Sequence, residues 1–197
     1  LNLPDEPVID ADGNEYETVK IGEQVWMAEN LKTTTFRNGD TIPYYSQSST
    51  RGYCWYDHDA SYKNIFGAIY NYYTVNDTRG LCPDGWHIPS LNEWETLINY
   101  LGGDSIAGGA LKETGTSHWN SPNTGATNSS GFSAISTGGR DCSGDFVQIG
   151  EGAGFYTSEP LDDGLRRAII LRYNNTKVVL GSPGLPCNSQ YVRCIKD

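Results

Sequence analysis

The chain has 197 residues, of which 37% are hydrophobic, 12% aromatic and 19% charged; this favours one compact domain, or one domain with a long insert, and excludes a disordered chain, which shows few aromatics and many charges. A formal net charge of −10 repels phosphate backbones and anionic lipid surfaces, so nucleic acid is not expected as a partner. No run of about 18 apolar residues occurs, so no membrane span is encoded.

The 23 Gly and 9 Pro predict short elements joined by many turns. At Leu1 there is no charged n-region followed by an apolar h-region, so any leader is expected to be already removed. Residues 1–8 read as an N-terminal arm or linker and residues 9–197 as a single domain. Asp10-Ala11-Asp12-Gly13-Asn14 superficially resembles the start of a calcium loop, but its glycine is misplaced and no helix flanks it, so a turn is expected. Glu15–Ile21 and Gln24–Met27 flank Gly22-Glu23 and predict a two-residue hairpin. The stretch from Tyr53 to Tyr73 is dense in aromatic residues and is expected to be core rather than a binding platform.

The clearest helix begins after Ser90. Ser90-Leu91-Asn92-Glu93 is a capping box, Pro89 and Trp94 hold the staple positions, and Leu91, Trp94, Leu97, Ile98 and Leu101 share one face. Gly102-Gly103 ends it. A second short helix is expected over Ser105–Lys112, weakened by Gly108-Gly109. Gly115 to Gly131 is a long polar loop of the kind that often carries function. Short strands are expected at Phe132–Ser136, Gly154–Ser158, Ala168–Tyr173, Lys177–Leu180 and Tyr191–Ile195.

The five cysteines, Cys54, Cys82, Cys142, Cys187 and Cys194, form no C-x-x-C pair and lie apart from His58, His87 and His118, which argues against a zinc site. Two bridges and one leftover thiol suit an oxidising compartment; five buried free thiols in a cytosolic protein is the alternative. No metalloprotease, nucleophile-elbow or phosphate-loop motif is present. The carboxylate groupings are what any acidic protein supplies, and Asp57-His58-Asp59 reads as a solvated turn rather than a cation site. No metal, cofactor or catalytic residue is therefore expected.

One stretch is specific enough to name a family. Leu81-Cys82-Pro83-Asp84-Gly85-Trp86-His87-Ile88-Pro89-Ser90-Leu91-Asn92-Glu93-Trp94 resembles the signature of the Fibrobacter succinogenes major paralogous domain. So do Gln24 to Leu31, Tyr53-Cys54-Trp55-Tyr56 with Gly67 to Tyr73, Gly125 to Phe132, and Tyr191 to Asp197. The resemblance spans roughly residues 10 to 197, with the motifs in the family's order. It implies an α+β protein with a C-type lectin-like fold: short twisted antiparallel sheets, one or two helices and long loops. Formylglycine-generating enzymes share that fold, and the helix start at Pro89-Ser90 and the Arg193-bearing last strand are similar to theirs. The resemblance also implies a bridge from Cys82 to Cys194 and, with it, Cys142 to Cys187, leaving Cys54 as a buried thiol. It further implies an exported, often lipidated bacterial surface protein, in a family without an established general activity.

Two departures limit what carries over. Cys187 and Cys194 lack the spacing of the copper-binding pair of the formylglycine-generating enzymes. Ser158-Glu159-Pro160-Leu161-Asp162 places Leu161 where sugar-binding C-type lectins carry a calcium ligand. The expectation is thus a non-enzymatic adhesion or ligand-recognition module for a glycan or protein on a surface. Its binding face is expected on Gly115–Asn128, Asp141–Gly152 and Asn174–Ser189, with Trp119, Tyr156, Asn123 and Asn128 as contact residues. The alternative is a structural subunit of a surface fibre, a homopolymer assembled through the Leu1–Val8 arm; an oxidase comes third. Ser90, Glu93 and Trp94 are expected to be structural.

Overall fold

The computed structural model of the chain describes residues 7–45, 51–160, 166–181 and 188–197. In chain order the strands are β1 (Val8–Ile9), β2 (Glu15–Tyr16), β3 (Thr18–Ile21), β4 (Gln24–Met27), β5 (Tyr53–Cys54), β6 (Ile69–Asn71), β7 (Trp86–His87), β8 (Thr137–Arg140), β9 (Phe146–Ile149), β10 (Gly152–Pro160), β11 (Arg166–Arg172), β12 (Val178–Gly181), β13 (Ser189–Gln190) and β14 (Ile195–Lys196). The α-helices are α1 (Lys63–Phe66), α2 (Tyr72–Val75), α3 (Leu91–Tyr100) and α4 (Ala107–Leu111). This is an α+β arrangement. Among the described residues the strands form three sheets: β1-β2, then β3-β4-β14-β7, and a larger one ordered β12-β11-β10-β8-β13-β6-β5 with β9 also on β8.

The hairpin forms as the Gly22-Glu23 spacing predicts, with Ile21 opposite Gln24. The last strand lies beside it, Ile195 opposite Trp26, and the amides of Met27 and Leu31 donate to the carbonyls of Cys194 and Val192. The β3–β4 hairpin and the C-terminal end of the domain are therefore neighbours in space. Upstream, the Asp-rich stretch is a turn. Asp10 accepts from the amides of Asp12 and Asn14 and from the Tyr16 hydroxyl, and Asp12 accepts from Thr34. Val8, placed in the arm from sequence, is instead buried and paired with Tyr16; residues 1–6 of that arm lie outside the described residues.

Helix α3 carries both expected ends. The Ser90 hydroxyl accepts from the Glu93 amide while Glu93 accepts from the Ser90 amide. At the other end the Gly103 amide donates to Ile98 and the Gly102 amide to Asn99, the paired bonds of a Schellman motif. Trp94, Leu97 and Ile98 form its buried face. Helix α4 is shorter than expected, and Gly108 in it is required: a Cβ there would lie 2.7 Å from the Thr176 carbonyl oxygen.

Two expected strands differ. Phe132–Ser136 is irregular because Ser133 has φ 54°, outside the β region, and the ladder begins only at Thr137. Tyr191–Ile195 is split, with β13 and β14 on either side of a non-ladder stretch. The strands β1, β5, β6, β7 and β9 were not anticipated; most have only two or three residues, too short for an alternation to show.

Beneath α3 lies a core of Trp26, Trp94, Phe132, Phe155 and the aliphatic residues around them. Arg193 is buried inside it, donating to Asn30 Oδ1 and to the carbonyls of Phe132 and Ser133, with its guanidinium 4.3 Å from the Phe132 ring centre. A second cluster runs from Tyr16 through Met27 and Tyr70 to Val192, and a third, smaller one joins Tyr45, Cys54, Phe66, Ile69 and Tyr191. Cys82 and Cys194 are bridged across 112 residues. Cys142 is disulfide-bonded; its expected partner Cys187 lies outside the described residues. Cys54 is a buried free thiol, and burial pushes it up to about 11 against the pull of Tyr45 and Arg140, so it is protonated and inert at neutral pH.

Candidate functional site

The residues first expected to meet a ligand turn out to hold the frame. Trp119 is only 1% exposed and its ring N–H donates to the Ala134 carbonyl. Tyr156 is likewise 1% exposed, and its hydroxyl donates to the Asn188 carbonyl. Neither presents a ring face to solvent, which corrects the binding role expected for them. Asn123 donates to the carbonyls of Glu113 and Gly115, and Asn128 exchanges hydrogen bonds with Ser133. Both asparagines sit at positive φ, where their short amides close local turns. Lys112 anchors the same loop: its buried ammonium donates to the carbonyls of Thr124, Arg172 and Asn175, and burial pulls it down to about 8. The polar loop is thus stitched to β11.

The most recognisable motif holds a histidine paired at both ring nitrogens. His87 on β7 lies between two carboxylates, with Nδ1 2.6 Å from Asp197 Oδ1 and Nε2 2.8 Å from Glu93 Oε1. Burial would pull the imidazole down, but the hydrogen bonds to Asp197 and Glu93 outweigh it and raise its pKa. Ser90 Oγ donates to Glu93 rather than to His87. Glu159 adds a further cap by accepting from the Leu91 amide. Ser90 and Glu93 cap α3, and the His87 contact gives Glu93 a second task that the capping box did not foretell.

A cleft of about 200 Å³ lies beside the disulfide, lined by Ile9, Asp10, Arg37, Cys82 and Asp84 among others. It is smaller than the usual range of small-molecule sites, about 300–1,000 Å³. Arg37 is already committed to the carbonyls of Cys82 and Trp86.

The open chemistry of the molecule lies elsewhere, over the third core cluster. After β5 the chain makes a one-turn 3₁₀ segment, Tyr56–His58, and a second, Ala60–Tyr62, capped by Asp59, which accepts from the Ser61 amide. It then enters α1. Gly67 ends α1 at φ 81°, where a Cβ would lie 2.8 Å from Asn30 Cβ. This short path leaves the rings at the surface. Tyr44 is 46% exposed and packs edge-on to Tyr53, which meets Trp55 in turn. His58 contacts both Tyr44 and Phe146 of β9, and Phe146 contacts Tyr56, which touches Tyr62 and Phe66. Tyr53, Tyr56, Tyr62 and Phe146 are all half-buried. The result is a continuous aromatic ledge. The density of rings in this stretch was the signal for it, but counting aromatics does not distinguish a core from a ledge, and Tyr44 and Phe146 come from distant parts of the chain.

The model of the Fibrobacter succinogenes major domain matches residues 19–196. The chain belongs to this family. No curated protein and no solved structure matches it. The major domain here has, among the described residues, no helix long and apolar enough to cross a membrane and no convergence of three or more His, Cys, Asp or Glu residues suited to a metal ion.

Proposed function

We propose that this major domain is an exported, non-enzymatic recognition module that binds a ligand on a surface through its aromatic ledge. The ledge carries the reading: Tyr44 is exposed and Tyr53, Tyr56, Tyr62 and Phe146 are only half-buried, and Tyr is a favoured contact residue at binding hot spots. Two adjacent non-glycine residues at its rim, Asp57 and His58, have φ 50° and 57°. Backbone strain of this kind concentrates at functional sites. The bridge between Cys82 and Cys194 supports export to an oxidising compartment. The pairing of the last strand with β4 supports reading the architecture as C-type lectin-like.

The test is an array of surface glycans and extracellular proteins probed with the wild-type domain, with Tyr56→Ala and with Tyr100→Ala, the last altering an exposed ring on α3 outside the ledge. Signals lost in Tyr56→Ala and kept in Tyr100→Ala support the reading. Signals indifferent to Tyr56→Ala, with its fold intact by circular dichroism, overturn it.

A further inference from the structure

The ledge carries fixed polar groups as well as rings, and together they specify a class of ligand. The Tyr44 hydroxyl lies 2.9 Å from His58 Nδ1, which sets the orientation of the imidazole. Burial, and then the Arg140 guanidinium, hold His58 below its ordinary value, so the ring is neutral at neutral pH. In the tautomer whose Nδ1 accepts from the Tyr44 O–H, the ring proton is on Nε2 and is left as a donor. Beside it, the exposed Asp57 carboxylate has no hydrogen bond or ion pair among the described residues. A donor and a two-oxygen acceptor therefore stand next to each other at the edge of an aromatic surface.

Charge narrows the choice. The molecule carries −10 overall, which opposes an anionic ligand. Near the ledge the protein's own cations lie against rings, those of the buried Trp55 and Tyr45 and that of Phe146 on the ledge. Lys63 lies 5.9 Å from the Trp55 ring centre, and Arg140 lies 5.2 Å and 5.7 Å from those of Tyr45 and Phe146. The two cations stand against the three carboxylates Asp57, Asp59 and Asp145, so a cationic ligand finds only a weak local field there. What suits a nearly neutral aromatic surface with a fixed donor and acceptor is an uncharged polyol that has one C–H face and adjacent hydroxyls.

We propose that the rim formed by Tyr44, Tyr56, Asp57, His58 and Phe146 binds a neutral saccharide ring, its C–H face against the aromatic rings and adjacent hydroxyls hydrogen-bonded directly to Asp57 and His58. This rests on the recognition reading above and supplies its ligand class.

The test is calorimetric titration of the whole chain with neutral oligosaccharides of glucose, galactose, mannose and xylose, and separately with a lysine-rich peptide, each at low and high NaCl. The variants are Asp57→Gly, which tolerates the left-handed backbone while removing the carboxylate, Asp57→Asn, which keeps an acceptor there, and Tyr56→Ala. At least one neutral oligosaccharide is expected to bind with an affinity unchanged by salt. Asp57→Gly and Tyr56→Ala should weaken it about tenfold or more, while Asp57→Asn retains most of it. Failure of all four sugars overturns the saccharide assignment. If the lysine-rich peptide binds instead, weakened by salt and lost in Tyr56→Ala, the assignment falls and the recognition reading stands. A sugar that binds Tyr56→Ala and Asp57→Gly as well as it binds the wild type removes both.

Discussion

Trp26, Trp94, Phe132 and Phe155 meet under α3 at centroid spacings of 4.7 to 5.8 Å and are all buried. Tyr44, Tyr53, Tyr56, Tyr62 and Phe146 make contacts of similar length across the ledge and stay at least partly open. Ring density does not separate these two regions. What does is the element beneath each. The first cluster is covered by a ten-residue helix pinned at both ends and by a long strand pair; the second rests on 3₁₀ turns of three residues and on the tip of a hairpin, which have no broad face to close over it. Tyrosine hydroxyls also need a partner when buried, so a Tyr-rich group tolerates the water edge that a Trp/Phe group does not.

The sharpest way to break this contrast is to remove one ring from the closed cluster. Trp94→Ala should lower unfolding stability by about 3–5 kcal/mol, the usual cost of an emptied aromatic site, read from the urea midpoint. Arg193→Met comes next. It leaves Asn30 Oδ1 and the carbonyls of Phe132 and Ser133 without their donor, and should cost about 3 kcal/mol, since each orphaned buried acceptor costs about 1–3 and removing a desolvated charge returns part of it. Neither variant should alter ligand binding by whatever fraction remains folded.

Smaller changes sharpen the contrast from both sides. Among the described residues Trp94 Nε1 is buried without a hydrogen-bond partner, so Trp94→Phe should cost only about 1 kcal/mol, the lost volume being offset by relief of the unpaired N–H. Tyr56→Ala should also cost about 1 kcal/mol or less because the ring is only half-buried, yet it should weaken recognition about tenfold or more. A ledge variant that costs as much as Trp94→Ala would show that the ledge is a lid on the core, and the functional reading would lose its basis.

Residues whose role is local were the legible ones. Ser90, Glu93 and the Gly102-Gly103 stop are set by neighbours three to five positions away, and the Gly22-Glu23 hairpin by two residues, so sequence spacing was enough. The α+β character and the pairing of Cys82 with Cys194 followed from the family resemblance. Trp119 and Tyr156 could not be placed, because whether a ring in a loop faces solvent depends on what the far chain lays over it: the Ala134 carbonyl for one, the Asn188 carbonyl for the other. The ledge was missed for the same reason. Its rim needs Tyr44, His58 and Phe146 together, and no local spacing connects residues that far apart.

The two histidines of these regions titrate in opposite senses, and this gives the finest test. His87, between Glu93 and Asp197, has a folded-state pKa above its ordinary 6.5, so the stability it contributes is fully present below pH 6.5 and is lost as pH rises through the raised folded value. Glu93 is held below its ordinary 4.5: burial raises it, but the Ser90 hydroxyl and amide and then His87 more than compensate. Its contribution is present above pH 4.5 and is lost as pH falls through the lowered folded value. The latch between β7, α3 and the end of β14 is therefore complete between pH 4.5 and 6.5. His58 on the ledge is lowered, so its contribution is present at higher pH and is lost on acidification. A difference between variants isolates the latch where the wild type alone would not. His87 is 39% exposed, and solvent screening limits the pair energies to about 1 kcal/mol in total. Urea unfolding at pH 5.5 and 8.5 should show the wild type losing up to that much relative to His87→Asn as pH rises, with Trp94→Phe keeping the wild-type slope. If His87→Asn and the wild type lose stability in parallel over that range, the imidazole carries no net charge advantage in its place between the two carboxylates, and the capping box alone accounts for Glu93.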